Sequence, residues 1–335
     1  MIQTAQMAWA NAINIGQATR MTSDDLSVNF LPLFHTAGIN LYTLPLFLMG
    51  GCSTVLPKFE PAQIFELLKQ GKVTQFFGVP AIYQAFSLLP GVAEIDWSSV
   101  RCGCGGAPLP EPLIRLFAGF GARVLNGMGM TETGPTVFLM DPENAEKKIG
   151  SVGRSQVLTE MRLDGVAAGE PGSGEIQLRG PNITPGYYEN EKATHDAFTA
   201  DGWLRTGDAG YVDADGYLFI HDRVKDMIIT GGENVYPAEV ESAIYGHPAV
   251  ADVAVIGVPN EDFGEEGKAI VQPVDPAAAG PELAAELVAF CRSQLADVKC
   301  PRSVDFRDEL PRHPTGKLYK RLLKDEYWAG HESRI

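Results

Sequence analysis

Positive charge is scarce in this chain: 27 lysines and arginines stand against 42 aspartates and glutamates, a formal net charge of −15. That excess of acid works against nucleic acid or an anionic bilayer as a partner, because either would need a broad basic face. No run reaches the ~20 apolar residues that a membrane-spanning helix requires. The longest candidate, 39–49, is interrupted by Pro45 and reads as a buried element. The first residues lack a basic stretch followed by an apolar one, so no signal peptide is expected. Cysteine is sparse as well. The five present (Cys52, Cys102, Cys104, Cys291 and Cys300) are odd in number and follow no framework spacing. Reduced thiols and a cytoplasmic location are the expectation. Cys102-Gly103-Cys104 is too short and too isolated for zinc.

What is present suits a globular chain of two or so domains: 335 residues, of which 45% are hydrophobic. In the first part, strands and helices alternate. Residues 5–19 have helical character, with small and apolar residues on both faces; helical spacing marks 61–71, and 81–89 and 111–120 read as helices; short strands fall at 28–33, 73–79, 100–104 and 122–126. That alternation predicts a largely parallel, covered sheet. After Lys147 the texture turns rich in Gly and Pro, with short strands at 161–163, 174–179, 210–212 and 217–221, as in a small antiparallel sheet or barrel. A compact α+β region begins near Lys225, with helices over 240–246, 281–295 and 318–327 and strands over 250–258, 268–273 and 304–306.

Residues 222–241, DRVKDMIITGGENVYPAEVE, are the most informative stretch. A charged segment runs into an apolar strand, Gly231-Gly232 makes a turn that tolerates positive φ, and Pro237 opens a helix. Three further strings follow a set order with it: Asn126-Gly127-Met128-Gly129-Met130-Thr131-Glu132-Thr133, Leu204-Arg205-Thr206-Gly207-Asp208, and 311–317, PRHPTGK. Together they resemble the motifs of the AMP-forming acyl- and aryl-CoA synthetases, members of the adenylate-forming superfamily. The resemblance runs over nearly the whole chain. It implies an α/β fold: the carboxyl-terminal portion of a large adenylation domain over 1–224, with a β subdomain from about 150, then a smaller mobile α+β domain over 225–335.

Several site residues can be weighed with and without that resemblance. Gly105-Gly106-Ala107-Pro108 joins a strand to a helix; such a turn is a plain connection or a platform for a flat ring beside helix amides. Thr131 and Glu132 are a helix cap with its first-turn acid, or a phosphate ligand with a hard oxygen for Mg²⁺. Asp208 beside Gly207 is a turn residue or a bidentate acceptor of ribose hydroxyls. Arg223 and Lys225 alone read as a solvated charge run. Lys317 is no Walker lysine, because Leu318 follows it.

The resemblance implies the second member of each pair. Gly105, Gly106, Ala107, Pro108, Asn126, Gly127, Met128 and Gly129 would flank the adenine, with Met128 standing where many relatives carry an aromatic residue. Thr131 would bind nucleotide phosphate and Glu132 would hold Mg²⁺. Asp208 and Arg223 would take the ribose, Lys225 would be the hinge, and Lys317 the lysine of adenylation. His35, Gly78, Val79 and Tyr83 would line the acyl pocket, and Gly231 and Gly232 the coenzyme A channel. His247 with Asp252 matches a His-x4-Asp acyltransferase spacing by coincidence and is rejected as catalytic.

The implied reaction is activation of a carboxylic acid, a fatty acid by preference, by ATP, with transfer to coenzyme A. One family element is missing. The Ser/Thr/Gly-rich loop ending in Pro-Lys-Gly has no counterpart in 1–32. A truncated chain, a non-catalytic AMP-binding remnant, or a subunit completed by a partner chain are the alternatives this leaves.

Overall fold

The computed structural model describes residues 1–107, 109–312 and 318–329. It divides into two units, Met1–Thr206 with Gly210–Ile220, and Gly207–Ala209 with His221–Ile335. The sequence reading set its boundary at 224/225.

In the first unit, strands β1 (Leu26–Asn29), β2 (Cys52–Val55), β3 (Gln75–Gly78), β4 (Arg101–Cys104) and β5 (Val124–Gly129) alternate with helices α1 (Ala5–Ala18), α2 (Thr36–Asn40), α3 (Thr43–Leu48), α4 (Pro61–Lys69), α5 (Pro80–Ser87) and α6 (Glu111–Gly119). These strands pair in parallel in the order β2-β1-β3-β4-β5. Proline near the start of α4, α5 and α6 gives each a pre-set first turn. Ile64 and Leu68 of α4, and Leu113 and Phe117 of α6, recur at i, i+4 and are buried. With Phe76, Tyr83, Phe86 and Trp97 they make one core, in which the rings meet edge to face.

The later strands continue the same sheet. β6 (Thr136–Leu139) and β7 (Ser151–Ser155) pair antiparallel after β5, followed by β11 (Leu218–Arg223), β10 (Leu204–Val212), β9 (Gly172–Arg179) and β8 (Glu160–Leu163). Short helix α7 (Glu191–Ala197) lies between β9 and β10 in sequence.

Two features of this unit add to the sequence reading. Residues 39–49 form parts of two short helices; Leu41, Tyr42 and Leu46 are buried as expected, while Ile39, Phe47 and Leu48 are exposed. Helix α1 is docked by polar groups: buried Asn11 donates to Asn40 O at 2.5 Å, and buried Asn14 accepts from Leu158 N at 2.9 Å. Trp9 and Ile13 of α1 and Val55 of β2 are also exposed, and β2 ends the strand order.

The second unit carries β12 (Ile228–Thr230), β13 (Glu233–Val235), β14 (Val250–Asn260), β15 (Gly264–Pro273) and β16 (Ser303–Phe306), with α8 (Pro237–Tyr245), α9 (Pro281–Arg292) and α10 (Lys320–Tyr327). β14 alternates between two cores: Val253 and Val255 pack with α8 and α9, whereas Ala254, Ile256 and Val258 pack with Leu323 of α10. Thr230 pairs with Glu233 across Gly231 (φ 58°) and Gly232 (φ 87°). Positive φ at both loop positions is the type I′ geometry, which matches strand twist and favours glycine.

Buried Asp25 organises the start of the sheet. It accepts from Thr22 N (2.8 Å), Thr74 Oγ1 (2.7 Å) and Gln75 Nε2 (3.2 Å), and pairs with Arg101 at 2.8 Å. Burial works to raise its pKa, but these donors more than offset burial and hold it below the ordinary 3.8. A depressed carboxyl contributes stability above its unfolded pKa and loses it as pH falls through the folded value. Asp25→Asn turns an amide donor toward these donors. It should cost about 2 kcal/mol at pH 7. In urea unfolding the difference from wild type should shrink at pH below about 4; an equal gap at pH 7 and pH 3 would refute the assignment.

Candidate active site

The carboxyl ends of β3, β4 and β5 are in register, Gly78 beside Cys104 and Cys104 beside Asn126. The segments singled out in the sequence therefore emerge side by side at one edge of the parallel strands, where α/β sheets bind ligands. A Cβ on Gly105 would sit 3.0 Å from Gly127 O, a tight approach that favours glycine. On Gly127 it would lie 2.9 Å from Phe138 O, and on Gly129 only 1.9 Å from Pro135 O. Gly106 (φ 83°) and Ala107 are exposed, Met128 is half-buried, and Pro108 lies outside the described residues. Asn126 is buried; its Nδ2 donates to Ser151 O at 3.3 Å, while Oδ1 has no partner among the described residues. A buried orphan acceptor is costly unless a ligand donor meets it. Beside side-chain-free backbone at 105 and 127, it fits the exocyclic amine and flat ring of adenine.

Thr131, Glu132 and Thr133 form a single 3₁₀ turn. Capping here falls to Thr133, whose hydroxyl accepts from Met130 N at 3.0 Å, so the helix-cap reading of Thr131 is corrected; Thr131 itself is exposed. The stretch 182–187, which sequence reading passed over, holds this turn. Asn182 Nδ2 donates to Thr133 O (3.0 Å), Thr184 N to Glu132 O (2.8 Å), and Tyr187 Oη to Glu132 Oε1 (3.0 Å). Burial first, then the Glu132 carboxylate, push the Tyr187 pKa up to about 12, so the phenol stays a donor. Glu132 keeps oxygen lone pairs for a hard cation. One carboxylate with phosphate oxygens is a common Mg²⁺ set; among the described residues no group of three or more His, Cys, Asp or Glu forms a metal cluster.

Of the acyl-pocket residues, His35 is half-buried and caps α2, its Nδ1 accepting from Ala37 N at 3.1 Å. Gly78 is buried, and Val79 is the extended residue that precedes α5. Tyr83 is fully buried in the core and donates to Gly103 O at 2.9 Å. Sequence reading missed Tyr42. It is 6% exposed, its ring lies 5.7 Å from Phe77, and a Cβ on Gly103 would come within 2.6 Å of its hydroxyl.

In the second unit, Arg223 Nε meets Asp208 Oδ1 at 3.0 Å, and Asp208 is buried. The pair presents an acceptor and a cation together, the two functions a ribose phosphate needs. Lys225 is exposed in the 3₁₀ turn Val224–Asp226, and Gly231 and Gly232 are exposed at the hairpin tip. Lys317 lies outside the described residues; Arg312 and Leu318 on either side form an antiparallel bridge. His247 is buried, edge-on to Phe290, with Nδ1 accepting from Ala249 N and Nε2 3.2 Å from Glu286. Those bonds give it a structural place at a helix-to-strand connection.

The AMP-binding enzyme family matches residues 1–188, and the AMP-binding enzyme C-terminal domain matches 239–317. Feruloyl-CoA synthase of Amycolatopsis sp. is 41% identical over 325 residues, covering 96% of this chain and 65% of that protein. Long-chain-fatty-acid–CoA ligase FadD13 of Mycobacterium tuberculosis is 38% identical over 333 residues, 98% of this chain and 63% of that one. Among solved structures, o-succinylbenzoate CoA synthetase from Bacillus subtilis, in complex with its acyl-adenylate intermediate, superposes with a TM-score of 0.86 at 32% identity, covering 99% of this chain and 66% of that chain. The chain thus spans about 65% of the length of the first of these relatives. No helix among the described residues is long and apolar enough to cross a membrane. With its family model matched over more than half its length and its glycine-lined strand ends in place, the chain belongs to the AMP-binding enzyme family.

Proposed function

We propose that this chain takes part in AMP-forming acid–CoA ligation. A carboxylate attacks the α-phosphorus of ATP, pyrophosphate leaves, and the thiol of coenzyme A then displaces AMP from the acyl-adenylate. Support comes above all from the orphan Asn126 Oδ1 beside the glycine backbone of 105 and 127. In this reading Asp208 and Arg223 hold the ribose, Thr131 takes a phosphate oxygen, and Lys317 supplies positive charge between carboxylate and α-phosphate. Mg²⁺ held by Glu132 would neutralise phosphate charge. The smaller region turns about Lys225, bringing Gly231 and Gly232 to the pantetheine channel for the second step. The domain reading, 1–224 and 225–335, goes with this motion.

The relatives extend beyond the span of this chain, and the phosphate loop expected of the family has no counterpart here. The exposed Trp9 and Ile13 of α1, Phe47 of α3 and Val55 of end strand β2, on elements that neighbour one another in the order α1, α3, β2, support packing of that remaining span here. ATP turnover would then need both pieces, whether in one polypeptide or two. A fatty acid is the substrate reading carried by the motifs. An aryl acid is the second reading: the Tyr42 hydroxyl has no hydrogen-bond partner among the described residues and stands over Gly103, placed to meet a polar ring substituent.

The test is pyrophosphate release from ATP with a panel of fatty and hydroxylated aryl acids. It is run on this chain alone and together with a polypeptide supplying the relatives' remaining span. Release with neither would end the reading; AMP binding without release would leave a non-catalytic remnant. Lys317→Ala should lower the adenylation rate by about 10²-fold or more while sparing thioester formation from supplied acyl-adenylate. Equal loss of both half-reactions would contradict its role.

Tyr187→Phe removes the donor that orients Glu132. It should lower activity at limiting Mg²⁺ by about tenfold, with partial recovery at high Mg²⁺. An unchanged Mg²⁺ titration would show that Tyr187 only packs.

A further inference from the structure

Helix α10 begins against its own electrostatics. Its cap, Tyr319, makes no side-chain cap bond, its first turn has no acid, and its first two residues are Lys320 and Arg321. The amino end of a helix repels cations, so something else must hold α10 where it starts. That partner is Glu241 of α8. Lys320 Nζ lies 2.7 Å from Glu241 Oε1, with the two side chains only 18% and 19% exposed. The same oxygen accepts from Val255 N at 2.6 Å, meeting an amide of β14, the last strand in its sheet order. Asp222 and Asp226, on either side of Lys225, add attraction toward Lys320. Asp222 also accepts from Ala238 N at 2.8 Å, in the first turn of α8. The Lys320–Glu241 pair therefore links α10 to α8, and Asp222 links α8 to the segment proposed as the hinge.

Lys320 stands three residues after Lys317. On the near side of that interval, Leu318 bridges to Arg312 and Tyr319 N donates to Pro311 O at 2.8 Å. We propose that Lys320, through its ion pair with Glu241, is a positioning residue: it ties down the chain end from which the Lys317-bearing segment departs, and it couples that end to the hinge segment. The inference rests on the adenylation role of Lys317 argued above. A packing role alone would be filled by the apolar stem of Lys320 and by Leu323, which is buried against β14.

The experiment compares wild type with Lys320→Met, Lys320→Arg and Glu241→Gln by hydrogen exchange and by half-reaction kinetics. Exchange is measured on the chain as it stands, and kinetics on whichever preparation releases pyrophosphate. Amides over 318–323 should exchange about tenfold faster in Lys320→Met and Glu241→Gln, with β14 and β15 unchanged and Lys320→Arg close to wild type. The kcat for adenylation should fall about ten- to a hundredfold in Lys320→Met, with KM for ATP and thioester formation from supplied acyl-adenylate retained. Lys320→Arg should recover most of the rate. Unchanged exchange, general loss of protection, or faster exchange with full adenylation would each overturn the inference. If wild type releases no pyrophosphate in any preparation, the ligase reading fails by itself, and the exchange result alone decides whether the anchor exists.

Discussion

Backbone runs so close to backbone at the carboxyl end of β5 that glycine is required there, and the shape of the candidate nucleotide site follows from that constraint. A Cβ on Gly129 would fall 1.9 Å from Pro135 O, inside any tolerable contact. The turn that begins there is drawn in tightly, and its next residues, Thr131 and Glu132, come off at a set point. Gly105 and Gly127 leave bare backbone next to the orphan Asn126 Oδ1. The floor of the candidate site is thus shaped mainly by absent side chains, with the Asn126 amide beside it.

Acidic residues outnumber basic ones over the chain as a whole, yet the buried and half-buried carboxylates described above are each matched. Asp25 gathers Thr22, Thr74, Gln75 and Arg101 at the opening of the sheet. Asp208 takes Arg223, Glu132 takes Tyr187, and Glu241 takes Lys320. In a low-dielectric setting an unmatched carboxylate would protonate or unfold its surroundings. In the proposed reading, such matching lets an acidic protein offer local positive and hydrogen-bonding groups to an anionic nucleotide.

Helices whose apolar residues repeat at i, i+4, such as α4 and α6, were legible to within a few residues, since burial of one face and a proline-led first turn leave little choice. The run 39–49 was rightly read as interior over Leu41, Tyr42 and Leu46, but its hydrophobicity did not show that Ile39, Phe47 and Leu48 are exposed. Helix α1 was read for its apolar residues, yet its register on the sheet is held by Asn11 and Asn14, whose partners lie far off in sequence. Thr131 was a plausible cap by residue type, but Thr133 makes the bond, a difference of one turn's geometry that composition does not carry.

Order and chemistry of the motifs were determined by the sequence alone: which segments are glycine-rich, where Asp208, Arg223 and Lys317 fall along the chain, and which family they resemble. Local strings carry this because each encodes a turn, a cap or a strand end within a few residues. Only the tertiary structure decided that Tyr187 supports Glu132, that Tyr42 stands over Gly103, and that Lys320 is held by Glu241. Those pairings join residues 55, 61 and 79 positions apart, and short-range pattern contains no term for contacts made by strand order and packing.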